Sequence, residues 1–456
     1  MKALIYTHGT RGDLQPYLAL ACALDRAGHT ATLVAPGMFA PFAAEYGIRL
    51  EPLTDAGVRL NERPDVRKLL QNNDRSEAGG HAYRQAREKI FNEVMPRIYP
   101  VMLRQLWNAA REGADIVLHS HHSRQVIHQI AEKLGVPHAL ATLYPHFTPS
   151  RRYPREMGSF DARPDNLQRH TAADSVPLKP MLADMISTWR SDTLGLPPRE
   201  GYLDARLLAD GRPAPVLHGF SPYVVEPAPD WPRWVHTTGF WDLPAPPGWD
   251  PPRRLLQFLA AGDKPVFIGF SSMSGGDPGE TGRTVLEAVR LAGVRAVVGT
   301  GWGGITLTDP PDDVLVESDI PYDWLFPRVR AAVHAGGPGT NHAAAVAGVP
   351  QVMCPFHKDQ MMWSARMHEL GVAPEPIGQR DLTAGRLAAA IRQALTDPGI
   401  AAGVLRTARA VRAEDGAGRA VEVIESWEYA RPRRVGGSGT GSAMRERPAA
   451  GGRVGE

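Results

Sequence analysis

Residues 333–341 read VHAGGPGTN and stand between a short apolar run and a stretch with helical apolar spacing. Glycines let backbone N–H groups approach a ligand closely, and the start of a helix carries about half a positive charge. Together these features suit a phosphate or diphosphate. A tight turn with a helix cap is the alternative, because glycine-rich turns also occur without ligands. The spacing matches neither G-x-G-x-x-G nor a Walker A loop, which argues against NAD binding and ATP hydrolysis.

The next strand along the chain is followed by CPFHKDQ, residues 354–360. This stretch and the glycine run both follow strands, so both fall at the carboxyl edge of a parallel sheet, where open α/β sheets bind ligands. Asp359 and Gln360 offer a carboxylate acceptor and an amide that both donates and accepts. Neighbouring sugar hydroxyls need that pairing. The alternative is that Asp359 only caps a helix.

The chain begins with the same kind of unit: a strand, a loop that reads HGTRGD (residues 8–13), and a helix from Pro16 to Ala27. Proline suits the first helical turn, where its missing N–H would be unpaired in any case. Strand and helix alternate again over 115–143 and from 265 to 370. Consecutive βα units of this kind imply parallel sheets covered by helices. We therefore expect an α/β fold with two facing Rossmann-like domains.

Some segments break the alternation. Residues 55–95 are polar and rich in arginine, and residues 148–200 are rich in proline, arginine and aspartate, so both are predicted to be long loops or insertions. A stretch rich in proline and tryptophan reads as a linker. The predicted organisation is a first domain over 1–225, a linker over 226–253, a second domain over 254–430 that ends in a helix, and a disordered tail over 431–456.

Composition excludes several classes of protein. The net charge of +2, from 51 basic and 49 acidic residues, argues against a nucleic-acid binder. The two cysteines, Cys22 and Cys354, exclude a disulfide scaffold or a cysteine-rich zinc module, and the histidines near residue 120 lack partners at zinc-ligand spacing. We see neither a secretory signal nor an apolar run of about 18 residues. We expect a cytoplasmic protein without bound metal or a transmembrane segment; weak contact with a membrane surface stays open.

Two regions of the chain carry a family resemblance: one begins with SDIPYDWLF at Ser318 and runs through PFHKDQ, and the other is GTRGDLQP over residues 9–16. In both regions the chain resembles the family 1 glycosyltransferases. The similar branches are the sterol glucosyltransferases and the bacterial enzymes that glycosylate antibiotics. The resemblance implies the GT-B fold, a nucleotide-sugar donor on the second domain, an acceptor on the first, and inversion at the anomeric carbon.

The resemblance also assigns donor-side roles to individual residues. The diphosphate would be held by His334, Gly336, Gly337, Gly339 and Thr340. Sugar hydroxyls would meet Asp359 and Gln360, and the nucleobase would meet the backbone at Ile320 with Tyr322 nearby. Hydroxyls near the phosphates would come from Ser271 and Ser272. Weaker candidates for the donor pocket are Gly12 and Trp302, and the alternative for the tryptophan is a packing role.

An inverting transfer to a hydroxyl needs a base that takes the acceptor proton. The resemblance places that base at Asp13, in the glycine loop after the first strand; a helix cap is the alternative. His8 is the rival base. His8 and His119 are also candidates for the acceptor side, where a histidine would touch the acceptor or assist Asp13.

The sequence departs from the family pattern at several positions. Ala335 replaces a second histidine, Pro338 replaces an alanine, Lys358 stands in place of a glycine, and His342 lies near the place of a ribose-binding glutamate. The leading hypothesis is a metal-independent, cofactor-free transfer from a UDP- or dTDP-sugar to a small natural-product or sterol-like acceptor. The alternatives are a nucleotide-sugar epimerase of the same fold, a catalytically silent pseudo-transferase that binds a partner and, more distantly, a nicotinamide dehydrogenase.

Overall fold

The computed structural model describes residues 1–60, 63, 66, 77–155, 160, 163–174, 180–198, 205–270, 277–301, 304–356 and 358–427. Two parallel β-sheets form its framework. Alternate residues of the first strand pack into different apolar clusters, so that sheet is covered on both faces. The predicted pair of α/β domains is confirmed.

The first sheet has seven strands in the order β3-β2-β1-β4-β5-β6-β7, all parallel. The strands are β1 (Lys2–Tyr6), β2 (Thr30–Pro36), β3 (Arg49–Leu53), β4 (Ile116–His119), β5 (His138–Thr142), β6 (Val216–His218) and β7 (Val235–Thr237). Its helices are α1 (Arg11–Arg26), α2 (Ala40–Ala44), α3 (Ala56–Arg59), α4 (Glu77–Ala110), α5 (Arg124–Leu134), α6 (Asn166–Asp174) and α7 (Pro180–Thr188).

The second sheet has five parallel strands in the order β10-β9-β8-β11-β12. They are β8 (Val266–Gly269), β9 (Ala296–Gly299), β10 (Val314–Val316), β11 (Ala332–His334) and β12 (Gln351–Met353). The helices of this half are α8 (Arg253–Ala260), α9 (Pro278–Ala292), α10 (Tyr322–Leu325), α11 (Pro338–Ala347), α12 (Lys358–Glu369), α13 (Ala384–Thr396), α14 (Pro398–Val411) and α15 (Gly416–Ser426). In both sheets the strand order reverses beside the first strand, which is where such sheets bind ligands.

Three stretches contain more regular structure than the sequence analysis expected. Residues 77–95 form the first part of α4; beyond them, Tyr99, Leu103 and Leu106 recur at helical spacing and bury the later turns of the same helix against the first sheet, despite two prolines inside the helix. Residues 148–200 contain α6 and α7. The region expected to be a linker contributes β7, which pairs with β6.

The start of α1 also differs from the prediction. The helix begins at Arg11, so Pro16 lies inside it and not in its first turn. Thr10 stands at the N-cap, and Asp13 lies three residues later and accepts from the Thr10 backbone. The reciprocal hydrogen bonds of this cap stabilise a helix start at Arg11. The preference of proline for the first helical turn had predicted a later start, at Pro16.

The two halves share apolar packing. Tyr17 of α1 contacts Trp241 edge to face, with ring centroids 5.7 Å apart, and one buried cluster contains side chains from both sheets' helices. The last helix, α15, returns to α1, where Glu425 accepts a hydrogen bond from His29 at 2.8 Å. Among the helices that the structure describes, each is too short or too polar to cross a membrane. Residues 428–456, which include the predicted tail, lie outside the described ranges.

Candidate active site in the cleft between the sheets

A cleft of about 1660 Å³ lies between the two halves. The loop after β1 and the loop after β11 both line it, so the carboxyl ends of the two sheets face the same space. The cleft exceeds the ~300–1,000 Å³ of ordinary small-molecule pockets, which leaves room for two ligands side by side.

Most of the predicted site residues that the structure describes line this cleft. From the first half these are Gly12 and Asp13; from the second half they are Ile320, Tyr322, Gly337, Gly339, Thr340, Asp359 and Gln360. Ser271, Ser272 and Trp302 lie outside the described residues. His8, His119, His334 and Gly336 are absent from the cleft wall.

Asp13 lies in the first turn of α1 and lines the cleft there, next to the loop that precedes the helix. Its Oδ2 accepts from the Thr10 backbone N–H at 2.8 Å and from the Thr10 hydroxyl at 3.2 Å. Gly9 has φ +133°, and a side chain there would come within 2.3 Å of the same oxygen. The loop therefore needs glycine at position 9 for the carboxylate to fold back over it. Asp13 both caps α1 and faces the cleft.

The glycine run opens α11 toward the cleft. Gly337 is the N-cap, and a Cβ there would meet nothing within 4 Å. Pro338 occupies the first helical position, where a missing N–H costs nothing, so this departure from the family pattern suits the helix start. The helix N-terminus, with its unpaired N–H groups and positive end of the dipole, thus borders open space at Gly339 and Thr340.

Gly336 faces away from the cleft, toward α12. Its φ is +86°, and a Cβ there would lie 2.3 Å from Ser364 Oγ and 3.1 Å from the Gln360 carbonyl oxygen. Both the left-handed backbone and the close approach of α12 therefore require glycine at this position.

His334 does not reach the cleft, which corrects its assignment to the diphosphate. The side chain is fully buried; Nδ1 accepts from the Gly336 N–H at 3.0 Å, so Nε2 carries the proton and donates to Gln351 at 3.0 Å. Gln351 in turn donates to the Asn341 carbonyl, and Asn341 donates to the Gly336 carbonyl at 2.9 Å. Burial lowers the pKa of His334 to about 4, which keeps it neutral. The network holds the glycine loop from behind.

Asp359 and Gln360 begin α12 on the second wall. Gln360 Oε1 accepts from the Phe356 N–H at 2.8 Å, which fixes the amide with its NH₂ as the donating end. Trp363, one turn after Asp359 on α12, lies against Tyr144 of the first half, with ring centroids 6.4 Å apart. The negative charge of Asp359 adds to burial in raising the pKa of Tyr144.

The loop after β10 forms another part of the second wall. Tyr322 stacks on Phe326 with ring centroids 4.5 Å apart and packs with Ile320 in an apolar cluster. Asp319 has φ +56° and accepts from Arg11 of α1 at 3.0 Å. Arg11 also lies over the Phe42 ring, 4.3 Å from its centroid. The predicted nucleobase loop is therefore tied to the helix that carries Asp13.

His8, His119 and His342, all within the described ranges, lie off the cleft wall. The His8 ring packs against Gly57, and burial lowers its pKa, with His122 adding to the fall and Asp13 opposing it. His119 is wholly buried, with its ring 5.5 Å from that of His138, so the structure does not bring it to an acceptor. His342 pairs with Asp242 at 2.8 Å and stacks on a phenylalanine of the expected linker.

Comparison with known proteins gives sequence matches over most of the chain. The model described as "Glycosyltransferase family 28 N-terminal domain" matches residues 3–150, and "Erythromycin biosynthesis protein CIII-like, C-terminal domain" matches residues 303–425. The chain is 31% identical over 462 residues to the sterol 3-beta-glucosyltransferase of Cryptococcus neoformans var. neoformans serotype D, covering 94% of this chain and 27% of that protein. It belongs to the family 1 glycosyltransferases.

Other glycosyltransferases agree with this assignment. The sterol 3-beta-glucosyltransferase of Komagataella phaffii is 30% identical over 452 residues, which cover 94% of this chain and 35% of that protein. The chain thus spans about a third of the length of these curated relatives. The solved structure of glycosyltransferase VinC in complex with dTDP superposes with a TM-score of 0.63 at 21% identity, over 94% of this chain and 99% of that one. The structure of CalG4, the calicheamicin glycosyltransferase, superposes with a TM-score of 0.62 at 19% sequence identity, over 93% of this chain and 97% of that one. These likenesses show the GT-B fold.

Sequence reasoning missed several residues of the candidate site. Gln351 opens a wholly buried strand, and a polar side chain there was the available signal for the network behind the glycine loop. Asn341 lies inside the glycine motif but was assigned no role. Arg11 contacts Asp319 and Tyr144 contacts Trp363, each more than two hundred residues away along the chain, and no local pattern marks such partners. Among the described residues, no group of three or more His, Cys, Asp or Glu could hold a metal ion.

Replacing His334 with alanine tests the network. We expect the free energy of unfolding to fall by about 1–3 kcal/mol, because the Gly336 N–H and Gln351 lose a buried partner. Affinity for UDP and dTDP should fall with it, because the loop loses its support. Urea unfolding and calorimetric titration measure both effects, with exposed His122→Ala as the control. Weaker nucleotide binding at unchanged stability would instead point to direct contact.

Proposed function

We propose that the chain catalyses an inverting, metal-independent transfer of a sugar from a UDP- or dTDP-sugar to a hydroxyl of a small acceptor. The observation that carries this proposal is the meeting, in one cleft, of Asp13 on one wall with the α11 N-terminus, Asp359 and Gln360 on the other. A base, an anion site and hydroxyl-binding groups are the parts that such a transfer needs. The nucleotide-sugar is a co-substrate, and no cofactor is required.

Asp13 is the proposed base. Its Oδ2 is held by Thr10, which leaves Oδ1 as the atom to accept the proton of the acceptor hydroxyl. As that O–H bond breaks, the oxygen forms a bond to the anomeric carbon on the face opposite the diphosphate. The bond from that carbon to the phosphate oxygen breaks, and its electron pair leaves with the nucleoside diphosphate. Attack from the opposite face inverts the anomeric centre.

The departing diphosphate would gain negative charge next to Gly339 and Thr340. Backbone N–H groups and the helix dipole stabilise such charge without reorganising during the reaction. Two further features support this site: Gly337 has open space on its Cβ side, and the buried His334 network holds the loop in place. We therefore assign the role that a divalent cation plays in other transferases to α11.

The acceptor is proposed to be largely apolar. Aromatic and aliphatic side chains line the cleft on the side of Asp13 and in the segment that joins the two halves, namely Pro16, Tyr46, Tyr144, Phe240, Trp241 and Leu243. The two fungal relatives described above are named as sterol 3-beta-glucosyltransferases, and CalG4 is named as the calicheamicin glycosyltransferase. A sterol-like lipid or a polyketide-like natural product fits both observations.

Calorimetric titration with UDP and dTDP, with and without EDTA, tests the donor site. We expect micromolar binding of one nucleotide, unchanged by EDTA, because the anion would be held by backbone N–H groups alone. The matched pair of variants is Gly336→Ala, which places a methyl group 2.3 Å from Ser364 Oγ, and Gly385→Ala, which meets nothing within 4 Å. Binding should disappear in the first variant and persist in the second.

The outcomes separate the alternatives. Failure to bind either nucleotide would contradict the proposal and favour a pseudo-transferase. Binding that EDTA abolishes would contradict metal independence alone. Conversion of the nucleotide-sugar to its epimer with no acceptor present would identify an epimerase.

A further inference from the structure

The segment that joins the two halves passes beside the start of α11. This joining segment, residues 238–252, runs from β7 to α8. A Cβ at Gly339 would lie 3.8 Å from Cζ of Phe240, and the ring of Phe240 stacks on His342 with centroids 4.5 Å apart. Asp242 follows two residues later, and its Oδ2 accepts a hydrogen bond from Nε2 of His342 at 2.8 Å. Two side chains of the joining segment are therefore fixed to the helix that opens onto the cleft.

The two oxygens of the Asp242 carboxylate are in different situations. Oδ2 is held by His342, whose side chain is 6% exposed, whereas the side chain of Asp242 is 54% exposed and lines the cleft. A carboxylate only accepts hydrogen bonds, so Nε2 of His342 carries the proton of this contact. Oδ1 has no hydrogen-bond partner within the described ranges, and its lone pairs are open to a donor in the cleft. A buried imidazole thus sets the direction of an acceptor that a ligand can reach.

The joining segment is also tied to the loop after β10. The Ala245 N–H donates to Asp323 Oδ2 at 2.9 Å, and the hydroxyl of Tyr46 in the first half donates to the Pro244 carbonyl at 2.7 Å. The chain at Asp242 therefore runs between two parts of the proposed donor site, the α11 N-terminus for the diphosphate and the loop after β10 for the nucleobase. In a nucleoside diphosphate the ribose joins those two groups. The carboxylate lies where the sugar ring of the nucleoside would be bound.

Ribose and deoxyribose differ in what they offer to such a carboxylate. Ribose carries adjacent 2′- and 3′-hydroxyls, whereas deoxyribose carries the 3′-hydroxyl alone. Each hydroxyl can donate a hydrogen bond, and a hydrogen bond to a carboxylate is stronger than one between neutral groups. A site that pairs with a hydroxyl also discriminates against the analogue that lacks it, because its polar group is then left unpaired. UDP contains ribose and dTDP contains deoxyribose, so this contact can distinguish the two nucleotides.

We propose that Asp242, oriented by His342, accepts hydrogen bonds from the ribose hydroxyls of the donor nucleotide, so that the site prefers a UDP-sugar to a dTDP-sugar. The inference rests on the proposed function and deepens it, since that function leaves the two nucleotides open. In this arrangement the carboxylate comes from the joining segment, and α11 supplies the imidazole that holds it. Asp242 is the binding residue and His342 is a positioning residue.

The test compares UDP, 2′-deoxy-UDP and dTDP by calorimetric titration. We expect the unaltered chain to bind UDP about tenfold more tightly than 2′-deoxy-UDP, which lacks only the 2′-hydroxyl, and to bind dTDP about as weakly. Asp242→Ala should bring the ratio of the UDP and 2′-deoxy-UDP affinities close to one. Asp242→Asn keeps an acceptor oxygen and should retain part of the preference. The matched control is Asp250→Ala, the same change at an exposed position of the joining segment that lies off the cleft wall, and it should keep the tenfold ratio.

Each outcome bears on the inference. Equal affinities for UDP and 2′-deoxy-UDP in the unaltered chain, or a preference for dTDP, would overturn it and leave the proposed function standing. A ratio that survives Asp242→Ala, or that Asp250→Ala lowers as much, would also overturn the role of Asp242. If the unaltered chain binds none of the three nucleotides, the proposed function fails and the inference fails with it. Thermal unfolding identifies a loss that comes from misfolding; if Asp242→Ala is unstable, a reduced ratio in Asp242→Asn supports the inference and an unchanged one overturns it.

Discussion

Replacing Asp13 with asparagine is expected to lower turnover by about 10²- to 10⁴-fold and to leave affinity for UDP and dTDP unchanged. The amide cannot take the acceptor proton at neutral pH, but its oxygen can still accept from the Thr10 N–H. The start of α1 should therefore survive, and the loss should come from the chemical step. Steady-state kinetics with a screened acceptor, together with calorimetric titration, separates the two quantities.

The control for this variant is Asp25→Asn, which makes the same chemical change at an exposed position near the end of α1. It should leave turnover and stability as they are. A parallel fall in nucleotide affinity and turnover for Asp13→Asn would contradict the base assignment and favour a structural role as a helix cap. Near-normal turnover would transfer the role of base to another residue, with His8 next in line.

Acid should destabilise the folded chain between pH about 6.5 and about 4. Burial lowers the pKa of His138 and His334 from 6.5 to about 4 and that of His218 to about 3. Below pH 6.5 the unfolded chain binds protons at these positions and the folded chain does not. Stability is therefore complete above pH 6.5 and falls as the pH drops toward the folded pKa values, by up to about 1.4 kcal/mol per pH unit for each histidine.

Together, three such histidines make the free energy of unfolding fall by up to about 4 kcal/mol per pH unit as the pH drops. This slope is a large part of a typical folding free energy. Glu414 opposes it, because burial raises its pKa and so favours the folded state as the pH falls. Urea unfolding at several pH values between 7.5 and 4 measures the slope. His218→Asn should reduce it, since that imidazole lies buried between Thr148 and Thr237, whereas exposed His122→Asn should not. A flat profile over this range would contradict the prediction.

Much of the fold could be predicted because its signals are local. Strands buried on both faces read as short apolar runs, and helices between them read as periodic ones, so the alternation over the second half appears directly in the sequence. The elements that the sequence did not predict lie where local sequence signals were weak or disagreed with the tertiary packing. Helix α4 contains Pro96 and Pro100 in a polar stretch, and tertiary packing of its apolar side overrides those breakers. Strand β7 is only three residues long, which is too short to show a strand pattern in the sequence.

The predictions of site residues also divide into those with a local signal and those without one. Gly337, Asp359 and Asp13 were identified because glycine, a helix start and a strand end are all visible along the chain, and the structure places all three on the cleft. His334 was misplaced because a residue at a strand end can point into the protein or out of it. The direction depends on which partner lies behind it, and here that partner is Gln351 of the neighbouring strand.

The sequence by itself therefore determined the parallel α/β architecture, its division into two halves and the loops at the carboxyl ends of the strands. These features depend on periodicity, glycine and helix caps, which act over a few residues. Only the tertiary structure decided which side chains face the cleft and which contacts join the two halves, such as Tyr144 with Trp363 and Arg11 with Asp319. Such pairs join residues hundreds of positions apart, and no local pattern specifies the partner that packing brings within reach.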